Sequence, residues 1–108
     1  MTDQNSSDIS VIYCTAPSDD STRIARELLE RRLVACVNIT PVRSLYRWQG
    51  HVCDEKEDLL IIKTANHCID DLISTIRAIH PYEVPEIIAL PVSKGFSGYI
   101  DWVMNETV

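Results

Sequence analysis

The first third of the chain places a β-branched stretch before an amphipathic one. Residues 9–15 are rich in β-branched and aromatic side chains, which is typical of a strand. Ser18 or Asp19 can then cap a helix, and Arg31 and Arg32 fall in its last turn, where the helix dipole favours positive charge. The apolar residues recur at helical spacing: Ile24, Ala25, Leu28, Leu29 and Leu33.

The middle of the chain predicts two long strands joined by a tight turn. Residues 36–40 alternate as a strand, and Pro41 indicates a bulge or an edge position because proline has no N–H for a sheet. Extended structure resumes over residues 44–48, turns at residues 49–50 and returns over residues 51–64. Such arms are longer than the usual strand of about 5–6 residues. Their unpaired edges therefore need a cover, such as another chain.

The last third predicts a second helix, a final strand and a tail helix. Asn66 can cap the second helix, and two prolines then make His80 its last plausible residue. A strand follows over residues 86–92, and Ser97 can cap a short helix. The apolar stripe of the second helix comprises Ile69, Leu72, Ile73, Ile76 and Ile79. The order βαββαβ with a C-terminal helix predicts an α+β, ferredoxin-like fold, with two helices on one face of an antiparallel sheet.

Length and charge narrow the class of protein. The 108 residues fit one domain, and we expect it to span residues 9–108 behind a flexible, polar tail at residues 1–8. A net charge of -6 argues against nucleic acid as a partner. No apolar run reaches the roughly 20 residues that span a bilayer, and a signal-peptide layout is absent. We therefore expect a cytoplasmic protein without a membrane partner. We expect its cysteines to be reduced thiols: Cys14, Cys36, Cys53 and Cys68.

Several blocks of the sequence occur in the order and spacing of one known family. The blocks are Cys-Thr-Ala-Pro at residues 14–17, Arg-Arg-Leu-Val-Ala-Cys-Val-Asn-Ile at residues 31–39, Ser-Leu-Tyr-Arg-Trp-Gln-Gly at residues 44–50, Ile-Lys-Thr at residues 62–64, and the proline-rich run at residues 80–92. Together with Tyr99 and Trp102 they resemble the CutA family, the divalent-cation tolerance proteins. The resemblance covers roughly residues 9 to 103, which is nearly the whole chain.

The resemblance implies an assembly and a metal. The assembly is a homotrimer similar to the PII-type signalling proteins, in which long hairpin arms pair across subunits. The metal is copper, for which the family's proposed ligands are matched here by Cys14 and His80. Ile79 stands where a further histidine would fall and has no donor atom. Sulfur and imidazole suit copper over magnesium or calcium. Candidates for a third ligand are Glu83, His51, His67, another subunit or water.

Each of these residues also has a structural interpretation. Cys14 can simply end a buried strand, and His80 can cap the carbonyls of a helix end. Tyr46 and Trp48 share one face of a strand, where they either line a ligand in an intersubunit cleft or pack in an interface. Trp102 is expected to pack in the core or in an interface.

The chain offers little for catalysis. The polar candidates are Glu55, Glu57, Lys63, Tyr82, Glu83 and Glu86. If trimer packing brings Glu57 and Lys63 near Tyr82, they form a pocket with perturbed pKa values. Otherwise they are strand-end charges in solvent or an intersubunit ion pair. The sequence has neither a nucleophile–base–acid pattern nor a glycine-rich phosphate loop, so we expect no enzyme.

Two functions remain as hypotheses. In the first, a non-enzymatic trimer responds to divalent metal and binds copper weakly through Cys14 and His80. In the second, a trimeric signalling or scaffold module binds a small ligand or a partner protein in its intersubunit clefts, and metal is incidental.

Overall fold

The computed structural model describes residues 7–108 as an antiparallel sheet with three α-helices. The elements are β1 (Ile9–Ala16), α1 (Ser18–Glu30), β2 (Cys36–Trp48), β3 (His51–Ala65), a 3-10 turn (Asn66–Cys68), α2 (Ile69–Ile79), β4 (Ile88–Pro91) and α3 (Ser97–Glu106). Most of the predicted N-terminal tail lies outside the described residues. Ser7, near the end of the predicted tail, is among the described residues, and its N–H donates to the Val92 carbonyl at 2.9 Å. None of the helices in residues 7–108 has the length and apolarity that crossing a membrane requires.

The sheet has the order β2-β3-β1-β4, and its three pairings are all antiparallel. Alternate residues of β1, Ile12 and Cys14, are fully buried and belong to one core cluster with Leu28 of α1 and Ile76 of α2. Because both helices pack against the same face of β1, they lie on one side of the sheet. This arrangement confirms the predicted α+β, ferredoxin-like fold.

The long hairpin is confirmed, and its register is continuous. Gln49 and Gly50 have φ angles of 49° and 82°, so both turn residues are left-handed, as a type I′ hairpin turn requires. Pro41 lies opposite Asp58 without an extra residue on either strand, so the predicted bulge is absent. The alternative prediction, an edge position, is confirmed, since β2 is an outer strand of the sheet.

Only the base of the hairpin joins the rest of the sheet. β1 pairs with β3 from Asp58 to Ala65, so residues 51–57 of β3 pair with β2 alone. Large apolar side chains on the distal part are exposed, with Leu45 at 62% and Val52 at 68%. The hairpin thus has an open edge and apolar surface, the two features from which the sequence predicts a covering chain.

The first helix begins and ends differently from the prediction. Pro17 is its N-cap, and neither Ser18 nor Asp19 makes a side-chain capping bond. Proline at this point presets the backbone and lets Ser18 start the helix. The two arginines predicted for the last turn follow it instead, and Arg32 is left-handed with φ 57°. Its Nη2 donates to the Asn105 carbonyl at 3.0 Å and so places positive charge at the end of α3.

Other helix starts also use the backbone rather than the predicted caps. Asn66 opens the 3-10 turn, but its side chain accepts a hydrogen bond from Ser10 Oγ at 2.6 Å. Phe96, not Ser97, is the N-cap of α3. The final strand begins at Ile88, two residues later than predicted, because residues 80–87 form an irregular loop after α2.

Two predicted core positions are surface positions in the protomer. Leu29, on the predicted stripe of α1, is 40% exposed. Trp102 is 42% exposed and lies against Tyr99 with 5.6 Å between ring centroids, whereas the neighbouring Val103 is fully buried. Trp102 is therefore not part of the protomer core, and its packing in an interface stays a prediction.

Candidate functional site

A cleft of about 700 Å³ lies between the hairpin and the loop that follows α2. β2 contributes Tyr46 and Trp48, and the loop contributes Tyr82 and two glutamates. The cleft reaches the end of β1 at Thr15. It forms because the prolines of the loop stop α2 at Ile79 and carry the chain across the base of the hairpin.

Cys14 lies on the core face of β1 and directly precedes Thr15, which lines this cleft. Its side chain is fully buried, and its thiol donates to the Thr15 carbonyl at 3.7 Å. Burial raises the pKa of Cys14 to about 12, with further contributions from the negative charges of Glu86 and Glu57. At neutral pH the side chain is therefore a protonated thiol rather than the thiolate that binds metal.

His80 ends α2 in an extended conformation and is only 8% exposed. The Tyr82 N–H donates to its Nδ1 at 3.0 Å, and its Nε2 lies 2.8 Å from the Thr15 carbonyl. Because Nδ1 accepts, we assign the ring proton to Nε2, which donates to Thr15. Both ring nitrogens are thus in use. The predicted capping of its own helix is wrong for this ring, since the carbonyl it meets belongs to β1.

The structure brings Cys14 and His80 together, because both donate to the same carbonyl, that of Thr15. Of the other candidate ligands, Glu83 lines the cleft, whereas His67 contacts Val108 and His51 pairs with Trp48 at the hairpin tip. Among residues 7–108, no group of three or more His, Cys, Asp or Glu side chains is placed to hold a metal ion. One protomer therefore supplies a soft sulfur and an imidazole, which fit copper in chemistry. Each would first have to give up a hydrogen bond.

Glu57 is the second buried polar group beside the cleft. It is 6% exposed, and its Oε2 accepts a hydrogen bond of 2.7 Å from the Tyr82 hydroxyl. Burial and this bond raise the pKa of Tyr82 above its usual value. The predicted pairing of Glu57 with Tyr82 is thus present within one chain, and the alternative of a strand-end charge in solvent is wrong for Glu57. Lys63, the third predicted member, instead donates to Asn38.

The outer wall of the cleft is aromatic. Tyr46 and Trp48 are 38% and 41% exposed, and both line this cleft of one protomer. Their place in an intersubunit cleft or in an interface stays a prediction. Partial burial and the charge of Glu55 raise the pKa of Tyr46 to about 12. Sequence reasoning missed Arg43, which also lines the cleft and forms a bidentate pair with Asp54 at 2.9 and 2.6 Å. The available signal was the two-residue turn at residues 49–50, because the register that it sets pairs Asp54 with Leu45 and so places Asp54 diagonally across from Arg43.

Comparison with known sequences gives one consistent family. The family model described as CutA1 divalent ion tolerance protein matches residues 10–106. The divalent-cation tolerance protein CutA of Thermus thermophilus is 48% identical over 99 residues, which cover 90% of this chain and 96% of that protein. Protein CutA of Homo sapiens is 41% identical over 101 residues, covering 92% of this chain and 56% of that protein. The chain thus spans about half the length of several plant and animal relatives, such as the chloroplastic protein of Arabidopsis thaliana, of which it covers 54%, and it covers 66% of the Xenopus laevis homolog.

Solved structures agree with the sequence comparison. CutA1 from Oryza sativa superimposes with a TM-score of 0.90 at 40% identity, over 96% of this chain and 97% of that one. The apo form of the protein described as PII-like CutA, from Nostoc sp. PCC 7120, gives a TM-score of 0.89 at 40% identity, over 92% and 97% of the two chains. Sequence blocks, sheet order and these relatives agree, and the chain belongs to the CutA1 family of divalent ion tolerance proteins.

Proposed function

We propose that this protein serves divalent-cation tolerance as a cytoplasmic, non-enzymatic homotrimer that binds copper weakly through Cys14 and His80. The observation that carries the proposal is the meeting of the two side chains at the Thr15 carbonyl. They come from β1 and from the end of α2, so the fold rather than the local sequence makes them neighbours.

The surroundings of the pair make its binding weak and dependent on pH. Cys14 must lose a proton to become a ligand, and its raised pKa of about 12 opposes that loss at neutral pH. The negative charges of Glu86 and Glu57, which raise this pKa, also favour a cation at the sulfur. His80 must release Thr15 or the Tyr82 amide before a ring nitrogen is free. Copper affinity should therefore rise with pH.

A copper titration of the purified protein under reducing conditions tests this proposal. We expect saturation at one copper per chain or one per trimer, and loss of that binding in Cys14→Ser and in His80→Asn. Cys68→Ser is a matched control, since Cys68 is 2% exposed and its thiol also donates to a carbonyl, that of Val108, at 3.6 Å. Binding that never saturates, or that is lost equally in Cys68→Ser, would contradict the proposal. The partly exposed Cys36 and Cys53 define the nonspecific background.

The cleft favours a second candidate function, a trimeric signalling module that binds a small ligand or a partner protein. A cavity of about 700 Å³ with mixed aromatic and charged walls has the size and lining of a small-molecule site. Both candidates include the trimer, which the open edge of the hairpin supports. Measurement of the mass in solution tests the assembly, and a stable monomer would refute it.

A further inference from the structure

The cleft combines aromatic faces with unbalanced negative charge. Tyr46, Trp48 and Tyr82 supply rings along its walls. These rings are partly exposed, so a ligand can reach their faces without rearrangement of the core. Aromatic faces carry a negative quadrupole that attracts cations within about 6 Å.

The charges of the cleft have the same sign as the ring faces. Glu57, Glu83 and Glu86 all line it, and the single cation among the lining residues is Arg43. That guanidinium is already engaged by both oxygens of Asp54, at 2.9 and 2.6 Å. The three glutamates are therefore not neutralised by a lining cation.

Glu57 provides the point at which a ligand would be held. Its side chain is more than nine-tenths buried, and its Oε2 is taken by the Tyr82 hydroxyl. Its other oxygen has no hydrogen-bond donor within residues 7–108, although the carboxylate lines the cleft. No buried side-chain oxygen within residues 7–108 lacks a hydrogen-bond partner, so this second oxygen is open to solvent, and it can accept from a ligand N–H in the cleft.

The spacing of the glutamates around the cleft suits an organic cation better than a metal ion. A metal requires several oxygens within about 2.0–2.6 Å. In the described part of the chain, no three acidic, cysteine or histidine side chains are grouped closely enough to hold one. The glutamates are instead spread around a space of about 700 Å³, which an organic molecule can fill.

We propose that this cleft binds a small organic ammonium compound, with the charged nitrogen at Glu57 and the apolar part against Trp48 and Tyr46. The inference deepens, and rests on, the second candidate function. It requires no bond to be made or broken. The ligand class is defined by its chemistry: a protonated amine with an attached apolar or aromatic group.

Three phenyl compounds of similar size test this directly: benzylamine, which is protonated at neutral pH, benzyl alcohol, which is uncharged, and benzoate, which is negative. The chain has two tryptophans, so the Trp102→Phe protein keeps Trp48 as its only indole and reports on the cleft by fluorescence. We expect saturable binding of benzylamine, at least about tenfold tighter than benzyl alcohol, and no binding of benzoate. Competition by salt should weaken the benzylamine signal.

Variants locate the interaction. Glu57→Gln keeps an acceptor for the Tyr82 hydroxyl but removes the charge, and Glu83→Gln alters an exposed side chain that the fold does not need. Both should weaken benzylamine at least about fivefold while leaving benzyl alcohol unchanged. Glu106→Gln, on α3 and outside the cleft lining, is the matched control and should bind as the parent does. In calorimetry, Trp48→Leu should lose binding and the equally exposed Trp102→Leu should keep it.

The possible outcomes distinguish failure of the organic-cation inference from failure of the second candidate function, on which it rests. Equal affinity for benzylamine and benzyl alcohol at Trp48 would overturn the organic-cation inference while leaving the cleft as a ligand site. Preferred binding of benzoate would overturn the inference in the same way. Failure of all three compounds would overturn the inference and count against the second candidate function as well. None of these results depends on the copper titration.

Discussion

Removal of the Tyr82 hydroxyl should lower the free energy of unfolding by the contribution of one hydrogen bond to a charged group. In Tyr82→Phe the ring and its contact with His80, at 4.8 Å between centroids, are retained. The lost interaction is the 2.7 Å bond to Glu57 Oε2, whose carboxylate is 6% exposed. Hydrogen bonds to charged groups contribute about 1.5–3 kcal/mol. Because the cleft lets water reach the carboxylate, we expect a value near the lower end, about 1.5 kcal/mol per protomer.

Urea denaturation measures this loss. With an m-value of about 1.5 kcal/mol per M, the unfolding midpoint of Tyr82→Phe should fall by about 1 M at equal protomer concentration. Tyr13→Phe is the control, because no hydrogen bond of the Tyr13 hydroxyl is present among residues 7–108. A double-mutant cycle with Glu57→Gln isolates the pair. A midpoint shift no larger than that of Tyr13→Phe, or a coupling below about 0.5 kcal/mol, would refute the reasoning.

The same bond predicts a pH dependence with a definite sign. The pKa of Tyr82 is raised in the folded state, first by burial and then by Glu57. Its contribution is therefore fully present below the unfolded pKa of about 10 and is lost as the pH rises through the folded pKa. The gap in stability between the parent and Tyr82→Phe should thus be constant near neutrality and narrow above about pH 10. A gap that widens at alkaline pH would contradict the assignment.

Two further predictions concern the hairpin turn and the thiols. Gly50 has φ 82° and no heavy atom near the position of an added Cβ, so Gly50→Ala should lower the free energy of unfolding by about 1–2 kcal/mol through backbone strain alone. Gln49→Gly should lower it less or raise it, because glycine adopts the left-handed conformation without strain. Urea midpoints of the two variants measure the difference. After treatment with iodoacetamide at neutral pH, mass spectrometry should find Cys36 and Cys53 modified and Cys14 unmodified. Cys14 is protected because its side chain is fully buried and its pKa is about 12. Rapid labelling of Cys14 would contradict its placement in the core.

Local sequence patterns predict the hairpin and the sheet well because their causes are local. The left-handed pair Gln49 and Gly50 fixes the register of β2 against β3, and alternation carries that register along the strands. The same reasoning predicts the order of the elements. It fails at helix starts such as Pro17, where a preset backbone replaces a side-chain cap. Tertiary packing, rather than a capping bond, then holds the helix.

The candidate site depends on contacts that sequence spacing does not reveal. Tyr82 and Glu57 are 25 positions apart, and a glutamate in a strand is expected to face solvent. It is buried here because the loop after α2 crosses the hairpin base and brings a hydroxyl to it. His80 and Thr15 are 65 positions apart, and only the packing of α2 against β1 makes them partners. The resemblance to a family names Cys14 and His80, but it gives neither their protonation nor their hydrogen bonds.

The two candidate functions share one set of hydrogen bonds. Cys14 and His80 both donate to Thr15, His80 accepts from the Tyr82 amide, and the Tyr82 hydroxyl donates to Glu57. A ligand that takes the His80 Nδ1 removes the acceptor of the Tyr82 N–H, and Tyr82 is also the residue whose hydroxyl donates to Glu57, so the two sites are connected. For that reason a change in copper binding in a cleft variant is not evidence that the cleft binds copper. Cys68 and Glu106 lie outside this set of hydrogen bonds. The control variants Cys68→Ser and Glu106→Gln therefore allow a loss of copper binding, or of benzylamine binding, to be assigned to one site.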